Sequence, residues 1–186
     1  MDCWPGIEQK RLLKILAARE QRFQLQSRLI AEYNCKLICF TLNIPGPRKD
    51  TPLYRKIHAV GRRVLQESLQ KENLLIRYQC FCQQDTGPES YHCLQASSKR
   101  LKTLTIKIEE KHQLGRLFDL DVIERNGKAL KRSTIGFHAR RCILCDGDVQ
   151  VCRRNNRHPI TELTAHIQGM AEQYFAESKA LNGKSR

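Results

Sequence analysis

Apolar residues recur at three- and four-residue spacing in four stretches of this 186-residue chain, a pattern typical of helices that bury one face. Ser97 or Ser98 suits the N-cap of the third stretch, because a serine hydroxyl can accept a hydrogen bond from a free backbone N–H. Pro159 opens the fourth stretch, where its fixed backbone angle fits the first helical position. The sequence therefore predicts helices over residues 7–33, 53–71, about 98–112 and 159–178.

Shorter segments between these helices are rich in branched and aromatic residues, which favour β-strands. Glycine and proline mark two of the connections as loops. The predicted strands cover residues 36–44, 74–84, 91–96 and about 117–123, and the two predicted loops cover residues 45–52 and 85–90. We expect an α+β fold in a single domain, a mainly antiparallel sheet with packed helices. Within residues 1–186 its parts are the N-terminal helix 7–33, a core over 36–124, and a Cys/His segment with the C-terminal helix over 128–178.

The last predicted strand carries two aspartates, Asp119 and Asp121, inside an apolar run. Because side chains alternate along a strand, both carboxylates point to one face, roughly 7 Å apart along the backbone. Such a pair can hold Mg²⁺ beside a triphosphate, since magnesium takes one or two carboxylates and completes its shell with phosphate oxygens. The alternative is a solvated face of an amphipathic strand. Asn126-Gly127 favours a tight turn, which would place the pair just before that turn, near a sheet end.

A second cluster of possible ligands follows in the segment 142–158. It has the spacing Cys-x2-Cys-x6-Cys-x5-His, formed by Cys142, Cys145, Cys152 and His158. Three thiols and one imidazole can complete a tetrahedral zinc site, which would be structural because four protein ligands leave no open position. The alternative is a set of reduced cysteines packed beside a helix. The other cysteines of the predicted strands fit small buried side chains of a reducing compartment.

Positive charge dominates the chain, with a formal net charge of +14 at pH 7. Residues 128–157 contain eight Lys and Arg side chains and two aspartates, a local charge of +6 directly after the aspartate pair. An arginine field beside a carboxylate-bound metal suits a polyphosphate, because arginine binds phosphate through paired hydrogen bonds. A solvated basic face is the alternative. Arg48, Glu89 and Ser90 are further candidate substrate contacts, since they lie in or beside the two predicted loops.

The sequence also bears on the location of the protein. The first residues, MDCWPGIEQKRLL, lack the apolar core of a signal peptide, and no apolar run approaches the ~20 residues that span a bilayer. We therefore expect a cytoplasmic protein without membrane contact.

Three classes of function remain open on these features. The first is an enzyme that binds a polyphosphate beside a carboxylate-bound metal. The second is a basic nucleic-acid-binding protein, although helix-turn-helix and RNA-recognition patterns are absent from the sequence. A structural adaptor held together by zinc is the third class.

Three segments in this order closely resemble one enzyme family: GPESYHCLQAS (87–97), HQLGRLFDLDVI (112–123) and RRCILCDGDVQVCRRNNRH (140–158). The chain resembles the holo-[acyl-carrier-protein] synthase of citrate lyase, also called apo-citrate lyase phosphoribosyl-dephospho-CoA transferase. The resemblance extends from about residue 40 through the last helix. Lys131 departs from the pattern, because a serine is expected before Arg132, and a hydroxyl contact is in doubt there.

The resemblance implies a nucleotidyltransferase-type reaction. Such an enzyme attaches 2'-(5''-triphosphoribosyl)-3'-dephospho-CoA to a serine of the acyl-carrier (gamma) subunit of citrate lyase, forming a phosphodiester and releasing pyrophosphate. Asp119 and Asp121 would hold Mg²⁺, and four arginines would bind the phosphates: Arg116, Arg132, Arg140 and Arg141. The resemblance does not identify the general base, for which one of the two aspartates or Glu89 could serve if the substrate geometry permits. Nucleic acid is then not the expected partner.

The resemblance also implies a protein partner that tends to be acidic. Basic residues of the second predicted helix would steer its docking: Arg55, Arg62 and Arg63.

Overall fold

The structure, a computed structural model, describes residues 4–183, with side-chain surroundings from Leu13 to Ala180. The helices are α1 (Trp4–Tyr33), α2 (Pro52–Lys71), α3 (Ser98–Lys111), α4 (Val149–Arg154) and α5 (Ile160–Gly183). The strands are β1 (Lys36–Leu42), β2 (Ile76–Gln84), β3 (Gly87–Leu94) and β4 (Phe118–Ile123). The predicted α+β class is confirmed, in a single domain. Its extent over all of residues 1–186 stays a prediction, because the first three and last three residues lie outside the described part.

All four strands form one antiparallel sheet with the order β2-β3-β1-β4. β1 lies inside the sheet and pairs with β3 on one side and β4 on the other, so that Thr41 faces Asp119 and Cys39 faces Asp121. β2 and β4 form the two edges. The sheet thus brings the middle of the sequence, β4, beside the strand that follows α1.

Each face of the sheet has its own hydrophobic core. On one face, side chains such as Phe40, Phe118 and Leu120 pack against α2, α3 and α5. On the other face, Cys39 and Tyr91 pack with Leu29 at the C-terminal end of α1. The cysteines predicted to be small buried side chains of the strands lie on this second face, Cys80 and Cys82 at its partly buried rim.

The apolar stripe predicted along the whole first helix is buried only in part. Leu29 and Ile30 are buried, whereas Leu13 and Phe23 are 59% and 60% exposed. The physical reason is length, because a helix of 30 residues is roughly 45 Å long and extends well beyond a sheet of four strands.

The connection between β2 and β3 is shorter than the predicted loop 85–90. Gly87–Ser90 belong to β3, and only Asp85 and Thr86 connect the strands. Proline is tolerated at Pro88 because it lies at the start of the strand, and Gly87 adopts a φ of +108°, which favours glycine. The loop prediction for 85–90 was therefore wrong for its last four residues.

The alternation predicted for the strand of the two aspartates is confirmed. Phe118, Leu120 and Val122 are buried, whereas Asp119 is partly exposed and Asp121 is exposed. The turn at Asn126-Gly127 also forms, with Gly127 at φ +78° and a bridge between Ile123 and Ala129. Asp119, however, is the second residue of β4 and lies at the end of the strand opposite to this turn.

Candidate active site

A cleft of about 720 Å³ lies at the end of the sheet where β1 finishes and β3 and β4 begin. Its walls come from the middle of α1, the segment after β1, the starts of β3 and β4, the segment 132–158 and the first turns of α5. The volume is within the range of small-molecule sites, roughly 300–1,000 Å³. Gly46, at φ +71°, belongs to the segment after β1, and a Cβ there would approach Ile160 to 2.8 Å.

Positive charge dominates the walls of this cleft. Two acidic residues, Glu109 and Asp119, lie among eight basic ones: Arg19, Arg22, Lys49, Arg116, Arg132, Arg140, Arg141 and Arg153. Burial lowers the pKa of Arg116, and the neighbouring Arg140 lowers it further. Because like charges are crowded there, an anion in the cleft would relieve their repulsion.

Glu109 holds the arginine wall in position. It lies on α3 with a side chain only 2% exposed, and it accepts charge-assisted hydrogen bonds from Arg132 and Arg140. Its Oε1 atom also accepts a hydrogen bond from the backbone N–H of Leu120 at 2.8 Å. Arg140 reaches on to Asp119, with 3.4 Å between Nη2 and Oδ1. One buried carboxylate thus connects β4 to two cleft arginines.

A second residue of α3, Lys102, also bonds to the backbone of the edge strand β4. The Nζ atom of Lys102 donates to the carbonyl oxygen of Leu120 at 3.1 Å and lies 3.9 Å from Oδ1 of Asp121. Burial lowers the pKa of Lys102, and Asp121 opposes that change. Partial desolvation by the surrounding groups raises the pKa of Asp121, although 54% of its side chain is accessible, and the nearby Asp119 raises it further.

The structure brings some of the predicted site residues together in the cleft and leaves others outside its walls. The predicted residues that line it are Asp119, Arg116, Arg132, Arg140, Arg141, Cys142, Cys152 and His158. Asp121, Cys145, Arg48, Glu89 and Ser90 are not among the lining residues. Asp121 nevertheless shares a strand face with Asp119, and Cys145 is adjacent to the lining cysteines.

Glu89 and Ser90 are buried in β3. Both oxygens of Glu89 are occupied, because Arg22 donates to Oε1 and the hydroxyl of Tyr91 donates to Oε2. Ser90 faces the opposite side of the sheet, where its hydroxyl has no hydrogen-bond partner. Arg48 is exposed on the loop before α2.

The four residues of the predicted zinc site do come together. One ligand atom from each of Cys142, Cys145, Cys152 and His158 lies within 4.8 Å of the other three. Across the part of the chain that the structure describes, it is the one group of three or more Cys, His, Asp and Glu residues with that geometry. A possible metal site next to the cleft is therefore a property of this fold.

Comparison with known proteins settles the family. The family model described as apo-citrate lyase phosphoribosyl-dephospho-CoA transferase matches residues 10–174. The chain belongs to this family. A probable apo-citrate lyase phosphoribosyl-dephospho-CoA transferase of Vibrio cholerae is 36% identical over 165 residues, 87% of this chain and 91% of the relative. A Citrobacter koseri relative with the corresponding name is 31% identical over 169 residues, 91% of each chain. One from Escherichia coli O1:K1 is 32% identical over 157 residues, 84% of this chain and 86% of the relative.

Sequence reasoning missed several cleft residues of this transferase family member. It did not distinguish Glu109 from the acidic residues beside it, although its spacing of seven residues from Lys102 places both on one helical face beside the apolar stripe of α3. It also missed Arg19 and Arg22 of α1, which are three residues apart and both line the cleft. Their spacing was readable, but which face of α1 meets the cleft depends on tertiary packing.

None of the described helices is long and apolar enough to cross a membrane.

Proposed function

We propose that the protein transfers the 2'-(5''-triphosphoribosyl)-3'-dephospho-CoA group to a serine of the apo acyl-carrier (gamma) subunit of citrate lyase. One observation supports this most directly: Asp119 lies in a cleft whose walls are dominated by arginine, inside the region that the family model covers. A carboxylate amid arginines suits a polyphosphate, since the arginines bind phosphate oxygens and the carboxylate can share a cation with them.

The reaction that fits is a displacement at phosphorus. The serine hydroxyl oxygen of the carrier attacks the phosphorus next to the ribose, and the bond from that phosphorus to the following bridging oxygen breaks. A phosphodiester forms, pyrophosphate leaves with the electron pair, and the serine proton passes to a base. The nucleophile belongs to the partner, so this chain needs to position and stabilise rather than attack.

The aspartate pair fits Mg²⁺ as a ligand set. Asp119 presents a partly exposed carboxylate to the cleft, with 42% of the side chain accessible, and Asp121 offers a second carboxylate on the same face of β4. Magnesium prefers such hard oxygen donors and usually takes one or two of them, with phosphate and water for the rest. When bound, the ion would neutralise charge on the pyrophosphate.

The arginines of the cleft bind the triphosphate in this proposal. Arg140 has the central position, because it contacts both Glu109 and Asp119. Arg132 shares the Glu109 carboxylate with Arg140, and Arg116 donates to the backbone carbonyl of Arg141. Their orientation by other groups before substrate arrives reduces the reorganisation needed in the transition state. Among the carboxylates considered for the base, Glu89 already accepts three hydrogen bonds, two from Arg22 and one from Tyr91, so we assign the base to one of the two aspartates.

We also place the enzyme in the cytoplasm, where the citrate lyase carrier would meet it. The eight cysteines among the described residues are all free thiols, which fits a reducing compartment.

The test is an intact-mass assay of the apo carrier subunit after incubation with substrate, Mg²⁺ and enzyme. Asp119→Asn and Asp121→Asn are the test variants, and Asp85→Asn is the matched control, because Asp85 is almost fully exposed and is not among the residues that line the cleft. We expect wild type and control to add the group only with Mg²⁺. Asp119→Asn should lower the rate roughly 100-fold or more, by analogy with the loss of one transition-state contact.

Normal transfer by both aspartate variants would contradict the metal assignment. Failure of folded wild-type protein with active substrates would contradict the proposed function itself. In that event, titration with duplex and single-stranded nucleic acid at two salt concentrations would test the alternative of a basic nucleic-acid-binding protein, for which binding must weaken steeply with salt.

Docking of the carrier is a separate part of the proposal. Arg55 is already paired with Asp50, and Arg63 is 4.0 Å from Glu67, whereas Arg62 lies over the ring of Phe81. Reversal of Arg62 and Arg63 to Glu should slow modification and reduce its salt dependence, because rim charges act mainly on the rate of association. Unchanged kinetics at low and high salt would remove this surface from consideration.

A further inference from the structure

The distances within the Cys/His cluster match the shell of a tetrahedral metal ion. The Sγ atoms of Cys145 and Cys152 are 3.4 Å apart, and Nε2 of His158 is 3.3 Å from Sγ of Cys145. Bonds of roughly 2.3 Å to sulfur and 2.0 Å to nitrogen in a tetrahedron place ligand atoms about 3.5–3.8 Å from each other. A disulfide would need about 2.05 Å between the sulfurs, so the thiols are gathered without being bonded.

The backbone around Cys142 folds into a tight turn that keeps this residue close to Cys145. The turn is closed by a hydrogen bond of 2.7 Å from the Cys142 N–H to the carbonyl of Gly147, and Asp146 takes a φ of +54° to permit it. The turn therefore places two of the four ligand atoms beside each other before any metal binds.

Packing alone does not explain why this part of the chain is held in place. In the stretch 124–158, all of which the structure describes, the buried hydrophobic residues are Cys142 and Cys152 alone. Its regular structure consists of one turn of 3-10 helix at Ser133–Ile135 and the six-residue helix α4. Segments with so little apolar core are usually stabilised by a disulfide or a metal.

We propose that Cys142, Cys145, Cys152 and His158 bind one structural Zn²⁺, which fixes the segment 140–158 against the cleft. Three thiolates, a neutral imidazole and Zn²⁺ complete a four-coordinate shell, and the thiol protons are released on binding. The segment carries Arg140, Arg141 and Arg153 into the cleft wall. The ion would therefore act on substrate binding through the position of these arginines, a consequence that rests on the proposed function, whereas the metal site itself does not.

The experiment measures metal first. Protein expressed with added zinc and purified without chelators is analysed for metal content by mass spectrometry, and Co²⁺-substituted protein is examined for the absorption bands of tetrahedral cobalt with thiolate ligands. Cys145→Ser is the test variant because Cys145 is exposed, and Cys82→Ser, on the sheet, is the matched control. We expect about one zinc per chain in wild type and control, and a loss of about tenfold or more in Cys145→Ser.

Folded wild-type protein that carries about 0.1 zinc per chain or less, and shows no tetrahedral cobalt spectrum, would overturn the proposal. Equal zinc in wild type and Cys145→Ser would also overturn it, since the ion would then lie elsewhere. A zinc-loaded protein without transferase activity would leave the metal site intact and contradict only the proposed function.

Discussion

Glu109→Gln should destabilise the protein far more than Glu110→Gln, although the two changes remove the same charge from adjacent residues of α3. Glu109 is 2% exposed and accepts three hydrogen bonds, two of them from arginines, whereas Glu110 is 51% exposed and pairs with Arg132 alone at 2.9 Å. Because both variants lose one negative charge, any difference in their stability reports on burial and on the number of hydrogen bonds.

The magnitude follows from these contacts. A glutamine keeps one acceptor oxygen, but its amide N–H groups would face an arginine donor, so at least one charge-assisted hydrogen bond is lost. Each such bond contributes about 1.5–3 kcal/mol, and breaking a buried pair costs about 3–5 kcal/mol. We expect about 3 kcal/mol for Glu109→Gln and less than about 1 kcal/mol for Glu110→Gln. For a chain of this size these correspond to decreases in Tm of about 6–12 °C and less than about 4 °C.

Thermal and urea unfolding followed by circular dichroism would measure both variants at low and high salt. The effect of Glu110→Gln should shrink as salt screens the exposed pair, whereas the effect of Glu109→Gln should persist. Equal decreases in Tm for the two variants would refute the conclusion that Glu109 holds the arginine wall.

Two further predictions concern the packing and the buried histidines. Gly61→Ala should destabilise the protein by about 1–3 kcal/mol, because a Cβ there would come within 2.3 Å of Phe40. A Cβ at Gly169 on α5 meets open space, so Gly169→Ala should be neutral or stabilise the protein by up to about 1 kcal/mol. Similar unfolding midpoints for the two variants would contradict this. Burial lowers the pKa of His58 and of His92 from 6.5 to about 4. Between these two pH values both histidines are therefore neutral in the folded protein and protonated in the unfolded chain. Stability should therefore fall between pH 6.5 and 4, by up to about 1.4 kcal/mol per pH unit for each histidine; His92→Gln should reduce the slope of unfolding free energy against pH, and an unchanged slope would exclude its contribution.

Local patterns were sufficient for much of the fold. The alternation at Phe118–Val122 and the serine cap at Ser97 are both present, since each depends on neighbours in the chain. The strand order was not readable, because β1 pairs with two strands that are distant in sequence. The exposure of Leu13 and Phe23 was also hidden from the sequence, because helical spacing identifies an apolar face without showing where its partner ends.

For the candidate site, the sequence identified residue types more successfully than their connections. The four members of the Cys/His cluster all lie within the short segment 142–158, so their spacing in the sequence was enough to predict that they come together. The link from Glu109 to Arg140 spans 31 residues and depends on α3 packing along the edge of β4. Sequence spacing could not distinguish this carboxylate from Glu110 beside it.

The position of β1 inside the sheet has a consequence for how the protein is made. β1 ends at Leu42, but its partner β4 ends at Ile123, so the two strands cannot pair until the intervening chain has left the ribosome. At roughly 5–20 residues per second, that interval is about 4–16 s. Throughout it, an apolar strand has at least one open edge, a template for unwanted pairing with other nascent chains. During synthesis, the side of the cleft that carries Thr41 is therefore made before the side that carries Asp119, and the cleft can form only after β4 has paired with β1.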